Sequence, residues 1–202
     1  MKEVKEDRRV RKTRKLYEDA LIKLLKTKDI NKITVTDLSE KVDMNRGTFY
    51  IHYDDIYDLL DSIETNLIKE FEKIAEIPQG EFTNILFEEA FARIVKALEY
   101  IDERREIFKV LLNEQGNLQF LAKIKKMFSQ KLLYNLFDIS CHVDKKYSSI
   151  LSSFLISGFI GIIQEWLNNN ESITVFELAT VIQITLRSSV ANVGGPHPRS
   201  EA

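Results

Sequence analysis

Apolar residues recur at three- and four-residue spacing along most of this chain, which is the period of helices with one buried face. Leu16, Ala20 and Leu24, with Leu21 and Leu25 beside them, predict a first helix from about Arg8. Lys26-Thr27-Lys28 closes it, where positive charge suits a helix C-terminus. After the connector Asp29-Ile30-Asn31-Lys32 and the apolar Ile33, Leu38 and Val42 mark a short second helix. Thr34 is its expected N-cap, and Asp37, three residues on, is the acidic half of a capping box. Asp43-Met44 interrupts the pattern. Asn45 then offers a second N-cap for Asn45 to Tyr50, fewer than two turns, with Phe49 in the core. A fourth helix is expected from Asp54-Asp55, whose carboxylates suit its positive end. It carries Ile56, Leu59, Leu60, Ile63, Leu67, Phe71 and Ile74 and stops before Pro78-Gln79-Gly80.

From about Phe82 the period resumes with Phe87, Phe91, Ile94, Val95, Leu98 and Ile101. A short helix is predicted over 105–113, with a break at Gln115-Gly116-Asn117 and a further helix from Phe120 to Phe137. Residues 147–169 form the next, almost uncharged between Ile150 and Ile163, a run short of the roughly 20 apolar residues that span a bilayer. Its apolar surface on opposite sides predicts burial on both, and Ser157, Gly158 and Gly161 would permit close helix approach. Thr174 to Glu177 is a second capping box, opening a last helix lined by Phe176, Ala179, Ile182, Leu186 and Val190. The expected division is a head at 1–53, with the linking helix starting over 54–75, a body at 76–192 and a disordered tail at 193–202.

Composition narrows the class. Only three Pro and seven Gly interrupt the chain, and two of each fall in the last nine residues, so the fold expected is all-α. A single cysteine, Cys141, rules out an intramolecular disulfide and fits a reducing cytoplasm. The charged N-terminus lacks the apolar run of a signal peptide. Net charge is −2, but it is unevenly placed. Residues 1–53 hold 14 Lys and Arg against 9 Asp and Glu, a net of +5, and the remainder holds 15 against 22, a net of −7. A basic head on an acidic body is the asymmetry expected when one end meets phosphate.

The two short helices at 34–50 read as a helix-turn-helix, whose second helix can place Asn, Arg and Thr against base edges in a major groove. Thr34-Val35-Thr36-Asp37-Leu38-Ser39, then Asn45-Arg46-Gly47-Thr48-Phe49-Tyr50, then His52-Tyr53, resemble the DNA-binding domain of TetR-family transcriptional regulators, over about residues 8–65. Two positions depart from that family's pattern. Asp43 stands where Gly is usual, at a left-handed turn position that Asp tolerates. Ile56-Tyr57 stands where many members carry a phosphate-holding Lys. The stretch Phe154 to Trp166, F-x-x-S-G-F-x-G-x-x-x-x-W, resembles the C-terminal domain of a Firmicutes-type branch of the same family.

The resemblance implies a TetR-like all-α homodimer that binds double-stranded DNA. Base contacts are expected from Thr36, Asn45, Arg46 and Thr48, with Gly47 among them. Phosphate contacts are expected from Tyr50, His52 and Tyr53 and from Arg11 and Lys12 of the first helix. An unknown small-molecule effector would sit in the body, among Phe87, Phe91, Ile94 and Phe108, with Phe120, Ile124 and Phe128 opposite. The last two helices would form the dimer interface, through Phe154, Gly158, Gly161 and Ile162, with Trp166, Ile182 and Leu186. His52, His142 and His197 have no His or Cys partner at i+3 or i+4, so no metal site is predicted. No Gly-rich phosphate loop or nucleophile elbow is present, and neither a catalytic residue nor a cofactor nor a membrane anchor is expected. The function implied is a cytoplasmic repressor on a palindromic operator, released by the effector. The other reading is a TetR-fold co-regulator that binds protein and has lost sequence-specific DNA binding.

Overall fold

Asp7, Thr34, Asn45 and Thr174 each stand at a helix start with a side chain that accepts from a free backbone N–H. The computed structural model describes residues 7–75, 84–113, 118–131, 145–169 and 172–193. Among these residues the regular secondary structure is all helix, with turns and short connectors between. Helix α1 is Arg8–Leu25, followed by a 3-10 turn at Ile30–Lys32, α2 at Val35–Val42, α3 at Arg46–Tyr50 and α4 at Ile56–Ile74. The remaining helices are α5 (Asn84–Glu103), α6 (Arg105–Leu111), α7 (Leu118–Lys131), α8 (Lys145–Asn169) and α9 (Val175–Val193).

Two compact units divide between Leu67 and Ile68. The expected head, residues 1–53 with the start of the linking helix, falls in the first unit, which extends into α4 as far as Leu67. That extension follows from burial, since Ile56, Leu59, Leu60, Ile63 and Leu67 are all core residues. In this unit α1 packs on α2, and α2 on α3. Its centre is aromatic. The Tyr17 ring meets Phe49 edge-on at 5.3 Å, and Tyr53 lies 5.7 Å from Phe49 on the other side. Such pairs add about 0.5–1.5 kcal/mol each beyond area burial. Burial raises the Tyr17 phenol above its ordinary pKa, with the Ser39 hydroxyl acting in the opposite direction.

In the second unit α5 packs along α9, while α8 takes α6 and α7. The Tyr100, Phe108 and Phe120 rings form a chain, with centroids 6.0 and 6.4 Å apart. Phe71 joins Tyr100 to Phe128. Helix α6 is held to α8 near both ends. Arg105 at its start lies over the Trp166 ring at 4.7 Å and donates to the Trp166 carbonyl at 2.6 Å. The Leu112 carbonyl at its end accepts from Gln164 Nε2 at 2.6 Å. Trp166 Nε1 in turn donates to the Ile173 carbonyl, which fixes the chain between α8 and α9.

Helix α8 differs from expectation on its outer side. Leu155, Ile156, Ile160, Trp166 and Leu167 are buried, while Ile150, Phe154, Gly158 and Gly161 are exposed. A Cβ built on Gly158 or Gly161 meets nothing within 4 Å, so among the described residues no helix approaches there. Residues 149–168 are long and apolar enough to cross a membrane by length and composition, with 28% of the stretch buried. One side of α8 is therefore core and the other is open. The expected tail from 194 onward, and the expected helical residues Leu132, Leu136 and Phe137, lie outside the described residues.

Candidate nucleic-acid interface

The interface begins with the cap of α2. Thr34 Oγ1 accepts from the Asp37 N–H at 3.1 Å, and Asp37 Oδ2 accepts from the Thr34 N–H at 2.8 Å. The Thr34 hydroxyl also donates to that carboxylate. Lys28, nine residues earlier, reaches Asp37 Oδ1 at 3.0 Å and ties the end of α1 to the start of α2. These partners, the Thr34 hydroxyl first and then Lys28, lower the Asp37 carboxyl to about 2. The cap sets the first turn of α2 so that Thr36 is exposed.

The turn to α3 passes through Asp43, at φ 54° and ψ 50°. It is the one non-glycine residue with positive φ among the described residues. The carboxylate-bearing substitute for glycine does adopt the left-handed conformation, and Met44 N–H then closes the turn on the Ser39 carbonyl at 3.0 Å. Asn45 caps α3, its Oδ1 accepting from the Gly47 N–H at 2.9 Å and its carbonyl from the Thr48 N–H at 2.8 Å. The side-chain oxygen expected at a base edge is thus already engaged in holding α3, a role that spacing alone could not separate from base contact.

Phe49 is fully buried and anchors α3 to the core. Around it Asn45, Arg46, Gly47 and Tyr50 are exposed and Thr48 is half-buried. Gly47 has no positive φ, and a Cβ there would meet only Asn45 Oδ1, at the ordinary distance of 3.5 Å. Nothing among the described residues therefore requires glycine, although glycine inside a helix costs about 0.5–1 kcal/mol relative to alanine. The site where no side chain stands is on the outside. Tyr50 is 53% exposed with its ring edge 5.5 Å from Phe49. Arg11 and Lys12 are exposed on α1.

Two expected phosphate contacts sit differently. Tyr53 is only 4% exposed, packed on Phe49 with the Arg14 guanidinium 6.0 Å from its ring centre. Its aromatic body belongs to the core, which corrects its placement at the surface. His52 is half-buried with its ring 6.4 Å from that of Tyr53. At the position of the family's usual Lys, the Tyr57 hydroxyl donates to Asn31 Oδ1 at 2.7 Å and joins α4 to the 3-10 turn. That contact spans 26 residues and left no signal in the periodicity.

The residues expected around an effector differ in burial and in ring partners. Phe108, Phe120 and Ile124 are buried, and Phe128 is half-buried against Phe71. Phe91 instead meets Phe176 of α9 edge-on at 5.2 Å, Ile94 is half-buried, and the side chain of Phe87 lies outside the described residues. A polar cluster at the edge of the aromatic chain went unpredicted. Tyr100 donates to Glu70 Oε2 at 2.9 Å, and Arg104 lies 4.0 Å over the Tyr100 ring and 3.6 Å from that carboxylate. Burial, then the Glu70 hydrogen bond and charge, raise the Tyr100 phenol well above its ordinary value.

Of the expected dimer residues, Phe154 is 72% exposed and Gly158 and Gly161 are open, while Ile162 and Leu186 are half-buried. Trp166 and Ile182 are buried within the single chain, so they support this surface from beneath and are not presented on it. Sequence reasoning missed Val181 and Ile184, exposed apolar residues of α9, while Phe176, expected to line that helix, is 63% exposed although it meets Phe91.

Comparison with known proteins bears on the family and the fold. Residues 88–188, half of the chain, match the family model TetR_C_8, described as a transcriptional regulator C-terminal region. An uncharacterised HTH-type transcriptional regulator of Bacillus subtilis strain 168, YxbF, is 24% identical over 116 residues. That match covers 57% of this chain, and the chain spans about a third of that relative's length, 30%. The crystal structure of a TetR transcriptional regulator from Streptococcus agalactiae 2603V is 26% identical, with 90% of this chain and 97% of that one covered at a TM-score of 0.65. The dihydroxyacetone kinase operon activator DhaS shares the fold at 17% identity and a TM-score of 0.60, over 91% of this chain and 98% of that one.

Proposed function

This chain belongs to the TetR family of transcriptional regulators, and on that premise we propose that it is a homodimeric repressor of a palindromic operator. The observation that carries the proposal is the row of exposed Asn45, Arg46 and Gly47 with half-buried Thr48, held above the buried Phe49. In a major groove the Arg46 guanidinium can donate two parallel hydrogen bonds to guanine, and the Thr48 hydroxyl can donate or accept. Thr36 adds a contact from α2. Tyr50, His52 and the cations Arg11 and Lys12 approach the phosphates, which gives affinity without sequence. Two heads on half-sites about 34 Å apart, or a little more, read one palindrome.

The dimer is built by α8 and α9. Ile150 and Phe154 on α8, with Val181 and Ile184 on α9, leave exposed apolar surface, and the open Gly158 and Gly161 let a helix of a second copy approach closely. A second copy covers this surface, not a lipid bilayer, because α8 lies within the matched regulator region and carries Ser153, Ser157 and Glu165 on the same exposed side. The protein acts in the cytoplasm. A small molecule bound in the second unit, near Phe108, Phe120 and Phe128, releases the operator by favouring a head separation that does not fit it, as linkage requires. A co-regulator without operator binding is the second reading. It draws on Tyr57, bonded to Asn31 where the phosphate-holding Lys is usual, and on Asp54 and Asp55 beside it.

The test is selection of bound duplexes from a random pool at about 150 mM salt, where non-specific phosphate binding is weakened. A palindromic site is expected. Folded dimer that enriches no sequence would favour the co-regulator.

A further inference from the structure

We propose that Ile51 contacts the C5-methyl group of a thymine in each operator half-site, and so determines specificity alongside Arg46 and Thr48. The inference rests on the operator-binding reading and adds to it a residue and the base it recognises.

Ile51 follows α3 directly and keeps helical backbone angles, φ −71° and ψ −24°. It is 77% exposed, two residues after the fully buried Phe49. At about 100° per residue, Gly47 and Ile51 share the face that points away from Phe49 and the core. Arg46 and Tyr50 flank that face on one side and Thr48 on the other. It is the face presented to whatever α3 meets. Gly47 has no internal reason to be glycine, and the absence of a side chain there clears the approach in front of Ile51.

An isoleucine can neither donate nor accept a hydrogen bond. The apolar group on the base edges of the major groove is the thymine methyl. The neighbours are suited to polar contacts, and the net +5 of residues 1–53 brings the face to DNA. Its β-branch restricts χ1, so the methyl groups are held in place before contact. Solvation offers no reason for an aliphatic side chain here, and burial within the protein does not occur.

The test uses the selected operator and replaces each thymine in turn by deoxyuridine, which removes the methyl and leaves every hydrogen-bonding group. Binding of the full-length protein is read by fluorescence anisotropy. One symmetric thymine pair is expected to respond, by about 3- to 5-fold per half-site for one methyl group leaving apolar contact. Ile51→Ala should bind the thymine and deoxyuridine operators alike at that pair, and Ile51→Val should keep part of the discrimination. Arg46→Ala should weaken both operators by the same factor. If Ile51→Ala retains the wild-type ratio at every thymine, or if no thymine responds, the inference is wrong while operator binding stands. If selection returns no site at all, operator binding falls first and the inference with it. Because Ile51 is exposed, its variants should match the wild-type thermal melt, which separates lost contact from lost fold.

Discussion

Replacing Gly47 by alanine should raise the stability of the protein and lower its affinity for the operator. The two effects have separate origins. In the free protein Gly47 is the second residue of a helix, lacks positive φ and has 3.5 Å of room before Asn45 Oδ1. An alanine fits without displacing the cap, whose hydrogen bond uses the residue 47 backbone N–H. It removes the excess conformational freedom of glycine from the unfolded chain. The gain expected is about 0.4–1 kcal/mol, at the lower end because the position lies in the first turn of a five-residue helix. In the proposed operator complex the added methyl would enter the surface that faces DNA. Intruding a methylene into a packed site costs about 1–3 kcal/mol, roughly 5- to 150-fold in affinity per half-site. Urea denaturation measures the first quantity, and anisotropy on the selected operator at fixed salt measures the second. An alanine variant that binds the operator as tightly as wild type would refute the reasoning, since glycine would then have no explanation inside or outside the protein. A destabilised variant would refute the other half, by showing that α3 needs glycine for its own geometry.

Three further outcomes test other parts of the structure. Arg46→Ala should lose about 1–3 kcal/mol on the operator and little on random duplex, whereas Arg11→Ala should weaken both and shallow the salt dependence by about one phosphate contact, as titrations at several salt concentrations would show. Gly158→Leu should raise the stability of the protomer by up to about 1 kcal/mol, because a helix interior loses its glycine and nothing lies within 4 Å, yet weaken self-association by about 1–3 kcal/mol in light scattering; an undiminished dimer would exclude the outer side of α8 from the interface. The Asp37 carboxylate, lowered from 3.8 to about 2, stabilises the fold fully above its unfolded value and loses that contribution as pH falls through its folded value. The difference in melting temperature between wild type and Asp37→Asn should therefore be constant near neutrality and shrink between about pH 4 and pH 2, and a difference independent of pH would show that the carboxylate is not held ionised by Thr34 and Lys28.

Much of the fold was readable because its signals are local. The Thr34–Asp37 and Thr174–Glu177 boxes each act within three residues, and both form as the spacing predicts. The same holds for Asp43, whose tolerance of left-handed angles is a property of the residue itself. The aromatic residues show where that legibility stops. Phe49, Tyr50 and Tyr53 are similar in size and lie within five positions, yet they are fully buried, 53% exposed and 4% exposed. A sequence pattern lists them together as one motif; the core built by Tyr17, Leu38 and Leu59 sorts them into anchor, surface and support.

By itself the sequence determined the helices, their caps, the basic head and the family whose motif lies at 34–53, because each depends on residues a few positions apart. Only the tertiary structure decided which apolar residues the fold leaves uncovered: Ile51 at the end of α3, Phe154 on α8, and Val181 and Ile184 on α9. It also decided which polar groups are already engaged, such as Asn45 Oδ1, Asp37 and the Tyr57 hydroxyl. The physical reason is that burial and hydrogen-bond satisfaction are properties of neighbours in space. Asn31 and Tyr57 are 26 residues apart along the chain and 2.7 Å apart in the fold.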